Sequence, residues 1–145
     1  MNWKHEAIDK LKQYEAKKQA LRSIPVEISR LEASMKSIRS TTADAIPVKG
    51  GGSGREDMVL SNIVHREELK IALEQAQKWV DRVDAGLTVL CADERLILEK
   101  LYMKPGRGNM ERLCGELMCE QATIYRRRDK ALYRFTVCLY GCTET

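Results

Sequence analysis

Six apolar side chains, Leu21, Ile24, Ile28, Leu31, Met35 and Ile38, follow one another at spacings of three and four residues. On an α-helix that rhythm draws one stripe along one side, the pattern of a coiled-coil seam, and such a stripe needs a second helix to cover it. Leu73, Ala76, Val80, Val83, Leu87 and Leu90 repeat the same spacing further on. The second series predicts a helix over roughly 57–90, with Asp57 placed to cap its start. The two seams suit an antiparallel helical hairpin, or pairing with a second copy of the chain, and the sequence leaves both open. Pro25 lies inside the first series. Its ring clashes with the preceding turn and it lacks an amide hydrogen, which predicts a kink or break between a helix near 3–23 and another near 26–40. Trp3 and Trp79, isolated aromatics on amphipathic helices, read as packing or interface residues.

Between the two series, residues 41–56 are rich in glycine and keep no periodicity, so they read as a flexible connector. A glycine run before a helix can cradle phosphate, but the lysine and Ser/Thr that close a P-loop are missing after Gly54. The whole chain, 145 residues, has room for one domain or for a compact module with an extended helical part. A division follows from the patterns: residues 1–88 form a helical hairpin or oligomerisation region, and residues 89–142 a separate helical module.

The polar N-terminus predicts no signal peptide, and apolar runs interrupted by charge predict no transmembrane segment and no membrane partner. Five cysteines, Cys91, Cys114, Cys119, Cys138 and Cys142, are odd in number and crowded into the last third. That usage suits reduced thiols in a cytoplasm better than a secreted disulfide framework. The net charge of +4 is modest, but its distribution is not even. Residues 57–86 hold four basic and six acidic side chains, whereas residues 121–140 hold Arg126, Arg127, Arg128, Lys130 and Arg134 against Asp129 alone. A dense positive field therefore sits on one short segment near the C-terminus.

That segment ends a three-helix pattern. The first helix opens at Asp93, with acids in its first turn and Ile97, Leu98 and Leu101 on its apolar side, and Lys104-Pro105-Gly106-Arg107-Gly108-Asn109 stops it. A short helix over 110–117 follows, then a break at about 118–120, then a last helix over 121–140. In the last helix Ile124, Ala131, Leu132, Phe135 and Leu139 share one face, while Gln121, Ala122, Tyr125 and Arg126 point elsewhere from its first turns, with Thr123 among them. Arginine bonds guanine bidentately and glutamine bonds adenine, and a small alanine lets a helix approach a thymine methyl group. Arg127, Arg128, Lys130 and Arg134 are then placed to meet phosphates, which fixes register without reading sequence. The plain alternative for the arginines is a solvated charged face.

The stretch from Asp93-Glu94-Arg95 to Tyr140-Gly141, and above all Ala122-Thr123-Ile124-Tyr125-Arg126-Arg127-Arg128-Asp129-Lys130-Ala131-Leu132, resembles the ArpU/RinA-type late transcription regulators of phages and prophages. Their C-terminal domain is similar to the sigma-factor region-four helix-turn-helix. The resemblance implies an all-α protein that binds promoter DNA, activates late genes in a bacterial cytoplasm, and contacts the host RNA polymerase. It also implies that the recognition helix begins near Gln121. Two positions depart from the family: Met118 stands where the turn usually has glycine, and Glu120 where a Ser or Thr cap is usual.

Catalysis finds little to work with, since His5 and His65 stand in no spacing with cysteine or carboxylate that makes a nucleophile or metal site. The cysteine spacings form no paired knuckle of a zinc site, and cysteine serves a small core as an apolar filler. The expectation is a non-enzymatic, homo-oligomeric regulator of double-stranded DNA, without cofactor or metal. A small terminase-like packaging protein and a coiled-coil interaction module without DNA binding are the rivals.

Overall fold

The computed structural model describes residues 2–44 and 52–141. Among these the chain is all-α, with no strand. The helices are α1 (Trp3–Asp44), α2 (Gly52–Thr88), α3 (Ala92–Leu98), α4 (Asn109–Leu117) and α5 (Gln121–Tyr140), and a π-helical turn, Glu99–Met103, continues α3. A long helical N-terminal part and a three-helix C-terminal part are therefore present as expected. No helix among the described residues is long and apolar enough to cross a membrane.

Two expectations about the long helices are corrected. First, α1 does not break at Pro25 but runs through it for 42 residues. Proline removes only the bond its own amide would give to the carbonyl of Leu21, and Pro25 is exposed, so water can serve the freed carbonyl. Second, the connector is shorter at both ends than 41–56, because α1 continues to Asp44 and α2 begins at Gly52. The opening turn of a helix has no intrahelical partners for its amides, so glycine and serine are tolerated there at little cost. Residues 45–51 lie outside the described residues.

The chain forms two compact units. One contains Gln19–Gln77. Here Met35 is buried, and Leu21, Ile24, Ile28, Leu31 and Ile38 are half-buried. Asn62 joins the two helices: buried, it donates Nδ2 to the carbonyl of Leu31 at 2.9 Å and accepts from Arg66 Nε at 2.8 Å. A buried amide costs stability unless both its ends are bonded, and here both are.

The other unit joins residues up to Lys18 with those from Lys78 onward. Ala7, Leu11 and Tyr14 from α1 and Val80 and Val83 from α2 are buried in it, as are Ile97, Leu98, Leu113, Ile124, Ala131, Leu132 and Phe135. The Tyr14 hydroxyl donates to Asp84 Oδ1 at 2.5 Å. The helix α5 is held along its length. Its first half packs on α3 and α4 through a cluster of Ile97, Leu113 and Ile124, each of them 0–1% exposed. Its second half lies on the end of α2, where Phe135 rests against Gly86, Arg82 donates to the carbonyl of Leu139 at 2.8 Å, and Cys138 Sγ meets the carbonyl of Ala85 at 3.7 Å. Full burial of side chains like these contributes up to about 1.5–3 kcal/mol each, so α5 is a rigid platform for what its other face carries.

Candidate nucleic-acid interface

Three local features set the attitude of α5. Cys91 opens α3, its amide donating to Glu94 Oε1 at 3.2 Å, so the acidic first turn closes on its own backbone. At the start of α4, Asn109 is buried and donates Nδ2 to the carbonyls of Lys100 and Lys104 at 2.8 and 3.1 Å, which ties the end of the π-helical turn to α4. The break between α4 and α5 passes through Met118, which is left-handed at φ 50°, ψ 49° and 90% exposed, with the Cys119 amide donating to the carbonyl of Cys114 at 3.2 Å. Glu120 then starts α5 in an extended conformation, and its side chain makes no capping hydrogen bond.

From this start the sequence-predicted residues separate into three groups. Gln121, Ala122, Tyr125 and Arg126 are exposed, while Ile124 between them is fully buried. Gln121 Nε2 donates to the Tyr125 hydroxyl at 3.2 Å, so the amide and the phenol share one patch. Arg126 has no ion pair or side-chain hydrogen bond among the described residues, and Thr123 at the margin is half-buried.

The second group is spoken for within the chain. Arg128 is three-quarters covered: it donates to Asp129 Oδ1 at 3.0 and 3.2 Å and lies 4.8 Å from the centre of the Tyr125 ring. Its guanidinium holds that ring in place. Partial burial works against its charge but is outweighed by Tyr102 and Asp129, which keep its pKa above the ordinary value. Tyr102 itself is raised chiefly by burial, with Arg128 opposing. Arg134 donates to Glu94 Oε1 at 2.6 Å and to the carbonyl of Val89 at 3.0 Å, clamping α5 to the start of α3 around the buried Glu94.

The third group borders a cavity. Arg127 stands 3.8 Å from Asp93, and Lys130 is exposed with no partner among the described residues. Both line a surface cavity of about 590 Å³ together with Trp3, Lys4, Tyr133 and Arg134. Sequence reasoning missed the contribution of α1 here: Trp3 meets Tyr133 edge-on at 6.2 Å, and Lys4 lies 3.6 Å from Asp129. The signal for it lay only in a tryptophan on a polar stretch, which does not name its partner.

The thiols of Cys91, Cys114, Cys119 and Cys138 are free, and Cys114 and Cys119 pack against the Ile97, Leu113 and Ile124 cluster as small apolar groups. Among the described residues no three His, Cys, Asp or Glu side chains gather to hold a metal ion. Compared with protein-family models, with curated proteins and with solved structures, the chain matches none.

Proposed function

We propose that this chain is a non-enzymatic regulator that reads double-stranded DNA through the first two turns of α5. The observation that carries the reading is the division of one helix end into two faces. Gln121, Ala122, Tyr125 and Arg126 are offered to solvent together, while Ile124, Ala131, Leu132 and Phe135 on the opposite side are buried to within 1%. A major groove about 12 Å wide accepts a helix presented in this way, with amide, guanidinium and small apolar contacts to base edges. Arg127 and Lys130, on the turn that follows, supply phosphate contacts. The resemblance of the C-terminal residues to phage late regulators of the ArpU/RinA type supports the same reading, and promoter binding with contact to a bacterial host polymerase belongs to it.

Pairing of two copies, so that two recognition helices address two half-sites, is part of the proposal. It is supported by Leu60, Ile63, Val64 and Ile71, which are 38–60% exposed on α2 in the Gln19–Gln77 unit. Selection of duplexes from a random pool by the purified protein tests the whole: the expected product is a motif repeated about one helical turn apart. An unenriched pool from a protein that sediments as a large ring favours DNA packaging. An unenriched pool from a protein that retains no DNA leaves the interaction module.

A further inference from the structure

We propose that the cavity between Trp3 and Tyr133 is a binding site for a small planar aromatic anion, and that its occupation releases DNA. The second half of this statement rests on the DNA-binding reading; the first does not. At about 590 Å³ the cavity falls within the range of small-molecule sites and holds a bicyclic ring with an acidic substituent. All its walls belong to one compact unit. Trp3 and Tyr133 meet at an interplanar angle of 80°, and Tyr133 keeps half its surface exposed, so the two rings form a corner against which a third ring can stack.

The charge around this corner is unbalanced. Lys4, Arg127, Lys130 and Arg134 face three carboxylates, those of Asp93, Glu94 and Asp129. Among the groups that line the cavity only Arg134 and Glu94 pair closely with each other, at 2.6 Å, whereas Arg127 to Asp93 and Lys4 to Asp129 stand at 3.8 and 3.6 Å; Asp129 is held from outside the cavity by Arg128 at 3.0 Å. Half-exposed pairs at such distances hold their partners weakly. An entering carboxylate or sulfonate therefore finds Lys130 without a partner among the described residues and Arg127 loosely held. Arg127 follows Arg126 directly and Lys130 lies one turn beyond it, so an anion on them removes the charge that a DNA phosphate would meet. By reciprocity, DNA weakens the anion by the same factor.

Calorimetric titration of the full chain with 2-naphthoate, with neutral 2-naphthamide and with sulfate tests the site. The expected result is saturable binding of naphthoate at one site, with Lys130→Ala weakening it about tenfold while leaving naphthamide unchanged. Trp3→Leu weakens both aromatic compounds, and sulfate alone does not saturate. Equal affinity for naphthoate and naphthamide, an unaffected Lys130→Ala variant, or no saturable binding overturns the site. Adding saturating naphthoate to a protein–DNA titration tests the release: loss of about tenfold in DNA affinity is expected, and an unchanged affinity overturns the coupling. Naphthoate binding by a protein that holds no DNA at all upholds the site and removes the DNA reading instead.

Discussion

Arg126 and Arg134 differ by eight positions and look alike in the sequence, yet among the described residues one guanidinium has no partner and the other is clamped between Glu94 and the carbonyl of Val89. Charge patterning places a cation on a segment; it does not say which cations are consumed by the fold. Arg134→Ala leaves the nearly buried Glu94 carboxylate with the Cys91 amide but without its cation, and because Arg134 itself is half exposed the expected loss is about 1–2 kcal/mol of stability by urea unfolding. Arg126→Ala is expected to leave the unfolding midpoint unchanged and, under the proposed function, to weaken DNA binding alone. Tyr14 gives a pH signature. Burial, then its hydrogen bond to Asp84, push the phenol well above its ordinary value of about 10. The folded chain thus keeps this proton to higher pH than the unfolded chain does. The stabilisation is whole below pH about 10 and is lost as pH rises beyond it, while the unfolded chain alone deprotonates. Wild type is expected to exceed Tyr14→Phe by about 1 kcal/mol at pH about 8, with the gap closing above pH about 10; a constant gap would refute the assignment.

At the scale of elements, the apolar periodicity located both long helices and the last helix, including the start of α5 at Gln121 and its end at Tyr140. It missed the early seam of α2, because Asn62 and Arg66 occupy seam positions where an apolar count sees nothing. The bond from Asn62 to the carbonyl of Leu31 is long-range and is not encoded in local spacing. Of the kink or break expected at Pro25 the break is absent, since a local penalty of about 3 kcal/mol is smaller than what the packed turns on either side contribute together. The turn before α5 was legible: a position suited to glycine holds Met118 at positive φ. Met118→Gly is expected to stabilise the chain by about 1 kcal/mol, since the left-handed conformation penalises a β-carbon and this side chain covers nothing, and thermal unfolding measures it. Gly86 behaves oppositely. A β-carbon there would stand 2.9 Å from the ring of the fully buried Phe135. Gly86→Ala is expected to cost about 1–3 kcal/mol despite alanine's better helix propensity, and an unchanged urea midpoint would show that α5 can shift off α2.

For the whole molecule, the long-range contacts were the part sequence patterns could not supply. The outer turns of α1 and α2 cluster with the C-terminal helices, so Trp3 and Lys4 come to border the same helix that carries Arg126. Nothing in the spacing of Trp3 names Tyr133, which lies 130 residues away. The candidate interface itself was legible in outline because one helix had to bury a definite face, and burial of Ile124 and Leu132 fixes where Gln121, Ala122, Tyr125 and Arg126 point. Reading the DNA through that patch is the central claim. Its most direct test is a fluorescence-anisotropy titration of wild type and Arg126→Ala with a duplex the protein selects from a random pool and with unselected duplex, at about 50 and 200 mM salt. The expected result is that wild type prefers the selected duplex by about a thousandfold, weakens on both as salt rises, and loses most of that preference in Arg126→Ala while unselected binding persists. Equal affinity of wild type for both duplexes, or an Arg126→Ala variant that discriminates as well as wild type, would contradict it.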